Sequence, residues 1–426
     1  MSSFFKNTSV YFLANILNAV IPFLLLPILT RYLSVEEYGQ IAMFQLLIAG
    51  LAGLVGLNTV GAAGRKFYDK NISKSELAIY NMNCLWILVF TAVAITLLTL
   101  LFNKEIALLL SIPSHWVYLA ITISFSSFIL QFRLSQWQIR GEAKKYGVLQ
   151  VSNSLFNLCG SLIFVVVLSM GAQGRIDALF ITGIITAIIS FYLLVKHKLI
   201  TFSLPNKKSI YEALNFGAPL VPHIFGAFLL SSADRYVIND SLGLGATGVY
   251  LLAVQLSSVL SIIFDAINKA YVPWLFESLT KDDELTKLNI VKNTYKYFVV
   301  LGVVAVFGFI LGPWGVTLVA DDKFSEAATL IGWLLLGQVF SGMYLMVTNY
   351  IFYSKETKLL SFVTIFTGAL NVILLYMLIP MFGLKGATYS FCASMLIRFL
   401  LTWLIASKKV KMPWLLVLGK NEKINN

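Results

Sequence analysis

Charged residues are scarce in this chain. Asp, Glu, Lys and Arg make up 12% of its 426 residues and hydrophobic residues 58%, whereas soluble globular domains carry about 25% charged residues. A water-soluble fold is excluded on that ground. Cysteine and histidine are scarcer still, at three each. Cys84, Cys159 and Cys392 lie in apolar runs and form no CxxC pair, so neither a disulfide framework nor a metal site is indicated; they read as small apolar fillers. His115, His197 and His223 are scattered without HExxH spacing, and no GKS/T loop or GxSxG elbow occurs. No catalytic centre, metal or cofactor site is expected, and the sequence does not read as an enzyme. Strand patterning is missing too, since no segment has the ten-residue alternation of a membrane β-barrel. No cleavable signal is evident in the long first apolar run.

What the chain has in abundance is apolar runs of roughly 20 residues, the length that spans a bilayer. They fall at 7–32, 38–60, 80–102, 116–140, 146–170 and 176–196, and again at 213–233, 246–276, 291–312, 327–352, 359–380 and 384–407. Twelve transmembrane helices are predicted. Placing both termini in the cytoplasm puts 25 of the 32 Lys and Arg on the inside and six on the outside, with Arg398 within a span. That asymmetry obeys the positive-inside rule and accounts for the +12 net charge without nucleic acid. Trp116, Trp137, Trp274, Trp314 and Trp403 fall near span ends and suggest an interfacial belt.

The two sets of six repeat each other. Arg31-Tyr32 at the end of the first span matches Arg235-Tyr236 just after the seventh, and Gly39 and Gln45 have counterparts in Gly248 and Gln255. Further on, "GEAKKYGVLQVSNSLFNL" and "SKETKLLSFVTIFTGALNV" align without gaps on Glu142/Glu356, Lys144/Lys358 and Asn157/Asn371. Two repeats with the same starting orientation give parallel halves, an arrangement common in alternating-access carriers. The expected organisation is an N-terminal lobe at 1–196, an inter-lobe linker at 197–212, a C-terminal lobe at 213–407 and a cytoplasmic tail at 408–426. The linker stretch "PNKKSIYEALNFG" suits an amphipathic helix on the inner membrane face. Prolines at Pro22 and Pro27 in the first span, and at Pro219 and Pro222 in the seventh, weaken or bend both helices; packing alone explains them equally well.

Three stretches, "NTSVYFLANILNAVIPFLLLPILTRYLSVEEYG", "GAPLVPHIFGAFLLSSADRYVI" and "TGVYLLAVQLSSVLSIIFDAINKAYVPWLFE", resemble the polysaccharide-specific transporters of the multidrug/oligosaccharidyl-lipid/polysaccharide superfamily, in particular Wzx-type O-antigen flippases. The resemblance covers nearly the whole chain. It implies an all-α polytopic membrane protein with two parallel six-helix lobes around a central cavity, in the bacterial inner membrane. It also implies a cargo, an undecaprenyl-diphosphate-linked oligosaccharide turned from the cytoplasmic to the periplasmic leaflet. The surrounding membrane lipids, a polysaccharide polymerase and a chain-length regulator would be partners.

Charges at membrane depth are costly and usually face cavities or partners. Arg31, Arg235, Lys269 and Arg398 are therefore candidates for the lipid diphosphate, arginine being suited to bidentate phosphate contacts. For Arg31 and Arg235 the alternative is interfacial anchoring, and for Lys269 and Arg398 it is snorkelling to the cytoplasmic side. Asp265 and Lys269 stand four apart on one helix and suggest a mutual pair. Asp234, beside Arg235, could restrain it or take up a proton or sodium ion, and His223 could titrate near neutral pH. Pro22 and Pro222 are the candidate hinges. Two rival readings are a drug or cation exporter of the same superfamily, which should favour acidic and aromatic cavity residues, and a membrane-embedded polymerase or ligase, which needs a larger external loop than any here.

Overall fold

The apolar runs fold as helices, because inside hydrocarbon every backbone N–H and C=O must be satisfied within the segment. The computed structural model describes residues 2–281, 283–354 and 356–414; Lys355 and the tail beyond Trp414 lie outside the described residues. The first repeat comprises α1 (Ser2–Tyr32), α2 (Val35–Ala52), α3 (Thr59–Lys66), α4 (Lys74–Leu109), α5 (Ser114–Ile139), α6 (Ala143–Ser161, prolonged by a π-helical Leu162–Val167) and α7 (Gly171–Lys196). After α8 (Lys207–Gly217) come α9 (Val221–Ser231), α10 (Asp234–Thr280), α11 (Glu284–Val319), α12 (Ala327–Tyr353), α13 (Thr357–Phe382) and α14 (Leu384–Lys409).

Among the described residues, ten helical stretches are long and apolar enough to cross a membrane, or eleven if the bent pair Val35–Ala52 and Val55–Lys66 forms one span. One of the ten, Lys207–Thr280, is 74 residues long, about 110 Å at 1.5 Å per residue, several times the ~30 Å hydrocarbon core. It is kinked at Gly243, with φ 84° and ψ 177°, and holds the seventh and eighth spans. The twelve predicted spans are thus recovered.

Helix starts follow from local chemistry. Ser34 and Glu37 form a capping box at α2, and Ser73 and Glu76 repeat it at α4, each reciprocally satisfying two backbone donors. Asn206 caps α8 and Asp283 caps α11.

Contacts divide the chain into two compact units, one of Met1–Phe228 with Arg235–Leu251, the other of Leu229–Asp234 with Leu252–Asn426. In the first, α5 packs on α4 and α7, and α6 on α7; in the second, α12 packs on α11 and α14, and α13 on α14. The repeat read from the sequence is therefore also a repeat of packing. Glu142 and Glu356, aligned in sequence, are the residues immediately before α6 and α13. Asn157 accepts from Arg175 Nη1 at 2.6 Å, and its counterpart Asn371 accepts from Ser390 Oγ at 3.0 Å. Each asparagine ties the fifth helix of its repeat to the sixth.

Four details differ from expectation. The second span is not continuous to residue 60, because Gly56, Leu57 and Asn58 all take positive φ and the chain bends by 53° before α3. The broken backbone is satisfied in place, with Gly56 N–H donating to Thr91 Oγ1 at 2.9 Å and Gly56 O accepting from Thr59 Oγ1 at 2.8 Å. The stretch after Ala233, read as a connecting loop, is helical from Asp234 to the kink at Gly243. The two proline sites are not comparable: Pro22 and Pro27 lie inside α1, whereas Pro219 sits in a 3₁₀ turn at 218–220 and Pro222 in the first turn of α9. Proline is tolerated at a helix start, where its missing N–H is one of the unpaired ones anyway. Finally, Trp116 and Trp137 are buried in protein, at 1% and 4% exposure, and do not belong to a lipid-facing belt.

The inter-repeat segment is laid along α4. Asn81 Nδ2 donates to Leu199 O at 2.8 Å, Trp86 Nε1 to Ser203 O at 2.9 Å, and Asn206 N to Asn83 Oδ1 at 2.6 Å. Lys66 Nζ on α3 then holds Glu212 on α8 at 2.6 Å. The segment is anchored to the first repeat over its whole length.

Candidate functional site

The second and eighth spans, carried by α2 and α10 and equivalent in the two repeats, cross within the first compact unit at the two glycines the repeat alignment pairs. A Cβ on Gly39 would stand 2.0 Å from Leu244 O, and a Cβ on Gly248 would stand 2.0 Å from Val35 O. Leu244 is four residues before Gly248, and Val35 is four before Gly39. The contact is thus self-complementary in the manner of a two-fold interface, with each helix pressing its glycine against the other's carbonyl. Such close approach is what small residues permit between membrane helices.

The predicted charges occupy diverse settings. Arg31 ends α1 at an exposed position, and Arg235 is half-buried one residue after the buried Asp234. Asp265 and Lys269 form the expected pair, 2.5 Å apart, with both side chains more than half exposed. Arg398 on α14 lies over the Tyr344 ring, 3.9 Å from its centroid, a cation–π contact that helps to accommodate a guanidinium at membrane depth. His223 is half-buried in the first turn of α9. These groups are distributed over both compact units.

A different set of charges does converge. Arg133, Gln136 and Trp137 on α5 and its C-cap residue Arg140 lie at i, i+3, i+4 and i+7, one face of the helix. Beside this face is a cavity of about 720 Å³ whose cationic lining is Lys74, Arg133, Arg140, Lys145 and Lys198, with His197 among them. Glu142 is the acid of the lining and pairs with Lys145. Arg133 is fully buried. Its Nη2 donates to His197 Nδ1 at 2.6 Å, and its guanidinium lies 3.8 Å from the Trp137 ring. Because arginine has only donors, His197 must accept through Nδ1 and carry its proton on Nε2. Burial, then the Arg133 and Lys145 charges, hold the His197 imidazole below its ordinary pKa, which favours that neutral form. Arg140 donates to Gln136 O and Oε1 at 2.9 and 2.7 Å.

Among the described residues, Arg133 Nε and Nη1, Gln136 Nε2 and Trp137 Nε1 have no hydrogen-bond partner. All four are donors, and they outnumber the unpaired amide acceptor of the cavity lining, Asn81 Oδ1. A buried, incompletely paired guanidinium costs on the order of several kcal/mol, and the complement of such a cluster is an oxyanion. The second repeat shows the alternative solution. Extending the ungapped alignment back from Glu142/Glu356 places Val347, Tyr350 and Ile351 where the first repeat has Arg133, Gln136 and Trp137. All three are buried in an apolar cluster with Trp414 and Phe399.

From the sequence, Trp137 reads as a belt residue, Glu142 as a repeat marker and His197 as an isolated histidine, and none of the cavity residues reads as part of a binding site. The available signal was the stripe "RLSQWQIR", whose polar positions recur at helical spacing inside an otherwise apolar run; counted as loop charge, it was absorbed into the orientation rule.

Helices, repeat and packing define an all-α, multi-pass membrane fold built of two six-span repeats. A multidrug resistance MATE family transporter of the MOP superfamily, solved in an inward-facing conformation, superposes with a TM-score of 0.71 over 94% of each chain at 17% identity, a likeness of fold. Within that class, the model for the family described as "Polysaccharide biosynthesis protein" matches residues 4–279, more than half of the chain, and the protein belongs to that family. An uncharacterized membrane protein of Haemophilus influenzae is 28% identical over 87% of this chain and 90% of its own length. A putative O-antigen transporter of Shigella dysenteriae is 25% identical over 90% of this chain and 95% of its own.

Proposed function

We propose that this protein is a flippase that carries an undecaprenyl-diphosphate-linked oligosaccharide from the cytoplasmic to the periplasmic leaflet of the bacterial inner membrane, as one step in assembling O-antigen or a related surface polysaccharide. The observation that carries this reading is the family match over residues 4–279; the relative described as a putative O-antigen transporter supports it. Sugars and a diphosphate cannot cross hydrocarbon unaided, whereas a polyprenyl tail can remain in lipid, so the protein must supply the polar path. The Gly39–Gly248 crossing supplies the moving part, since a backbone-to-backbone contact without interlocked side chains can part and re-form.

In this scheme Arg31 and Arg235 contact the diphosphate toward the periplasmic side, and Lys269 and Arg398 meet it first on the cytoplasmic side. Asp265 releases Lys269 as cargo arrives, while Asp234 and His223 serve coupling or gating. A polymerase and a chain-length regulator would take the delivered units. Deletion of the gene followed by extraction of lipid-linked intermediates tests the assignment. The expected result is complete repeat units accumulating on the cytoplasmic side with loss of surface polymer. Incomplete units, or single units reaching the surface, would point to a transferase or a polymerase.

A further inference from the structure

The cationic cavity beside α5 continues into a second, apolar space. A groove of about 540 Å³ runs between α6 and α7, lined by Val148, Ser152 and Phe156 on one side and Ile189 and Leu193 on the other. Trp137, Lys145 and His197 line both spaces. Each volume falls in the range of about 300–1,000 Å³ usual for ligand sites. The groove lies within spans, and Val148, Phe156 and Ile189 are exposed, as residues facing hydrocarbon would be. A polar head space joined to an apolar channel at a span end has the shape of an amphiphile.

We infer that the cavity between α4 and α5 and the α6–α7 groove together bind one anionic phospholipid of the surrounding leaflet, its phosphate on Arg133 and Arg140 and an acyl chain along Val148, Ser152 and Phe156. Three observations select this occupant. The free donors on Arg133 and Trp137, both of which line the cavity, match a phosphate's acceptor oxygens and offer nothing to a cation. Only Glu142 opposes the lining's positive charge, and it is already paired with Lys145. The groove is continuous with the bilayer, where such lipids are abundant, and basic pockets at the cytoplasmic ends of membrane helices are a recurrent setting for anionic headgroups. The second repeat also argues that the space is not needed for folding, because there the corresponding stripe closes into an apolar cluster. The site is separate from Arg31, Arg235, Lys269 and Arg398 and does not depend on the flippase assignment.

The test is lipid retention by the purified full-length protein, read by native mass spectrometry during titration with phosphatidylglycerol or with phosphatidylcholine of the same chains. One phosphatidylglycerol should be retained in preference to phosphatidylcholine, and Arg140→Gln should weaken that preference about tenfold or more, the loss expected for a charge-assisted contact. Ser152→Trp, which fills the groove and leaves every cation in place, should weaken it as well. Because a buried substitution can compromise folding, Arg133→Met carries a second reading. Without lipid its melting temperature should equal or exceed that of the unaltered protein, since removing an incompletely paired buried charge is neutral or favourable; with phosphatidylglycerol only the unaltered protein should gain stability. Equal retention of the two lipids, or unchanged selectivity in Arg140→Gln and Ser152→Trp, would overturn the proposal. Displacement of bound lipid by inorganic diphosphate alone would reassign the site to a free anion. Displacement by equimolar undecaprenyl diphosphate would reassign it to the cargo.

Discussion

Gly39 and Gly248 have the least freedom to change. In each case the atom in the way is a backbone carbonyl oxygen 2.0 Å from the would-be Cβ, and a carbonyl inside a helix cannot rotate aside as a side chain can. Gly39→Ala and Gly248→Ala should each destabilise by about 1–3 kcal/mol, the usual cost of overpacking, measured as a lower melting temperature of purified protein. The internal control is Gly302, on α11, where an added Cβ meets nothing within 4 Å; Gly302→Ala should be neutral or stabilise by up to about 1 kcal/mol. Equal losses at all three positions would mean that the crossing has no special role. At the same scale, Arg31→Lys and Arg235→Lys should each impair surface-polysaccharide export at normal membrane abundance, since lysine keeps the charge but loses the forked donor geometry. Intact export from alanine variants at both positions would leave these arginines as anchors. His197 gives a pH dependence. Its neighbours are Arg133 on α5, Glu142 and Lys145 beside and on α6, and Lys196 at its own helix end. With its pKa held below the ordinary ~6.5, the folded state favours neutral His197, so this contribution is fully present above that pH and is lost as pH falls through the lowered value. His197→Gln, which keeps an acceptor for Arg133 without titrating, should flatten the acid side of the stability profile.

Breaks and joints within helices carry the next level of meaning. The bend at Gly56–Asn58 meets the joint between α8 and α9, where a Cβ on Gly217 would lie 2.2 Å from Leu57 O. The inter-repeat helix therefore docks on the one interruption of the second span, and the Lys66–Glu212 ion pair fastens it. Pro222, in the first turn of α9, adjoins that joint, while Pro22 lies within α1. Pro222→Ala should accordingly be mild for both membrane abundance and export. Pro22→Ala restores an interior hydrogen bond and should straighten or stiffen α1, lowering export at unchanged abundance in quantitative blots. Normal export from Pro22→Ala would reduce that proline to a packing role.

For the whole molecule, the sequence was most readable where one physical rule governed many residues. Twelve spans followed from apolar length, and the repeat followed from a few aligned positions, of which Glu142/Glu356 and Asn157/Asn371 recur at equivalent places in the fold. What hid was set by tertiary contact. The Gly56–Asn58 break has no proline and only one glycine to announce it, and it is paid for by Thr91 and Thr59 from outside the broken turn. The helical identity of residues 234–242 was masked by charges that look like a loop. The cavity was hidden because Arg133 reads equally well as a snorkelling interface charge, and only packing shows it buried against His197. Epitope tags at Asn206 to Ser209 should report cytoplasmic and a tag at Asp321 periplasmic; the reverse assignment would invert the leaflets named above. Translocation is measured most directly with purified full-length protein in proteoliposomes that carry an undecaprenyl-diphosphate oligosaccharide fluorescently labelled on its sugar. A membrane-impermeant quencher added outside should bleach about half of the label in protein-free vesicles and nearly all of it when the protein is present, as inner-leaflet cargo is brought out. Bleaching that stops at the protein-free level when the protein is present would mean that it does not translocate this cargo.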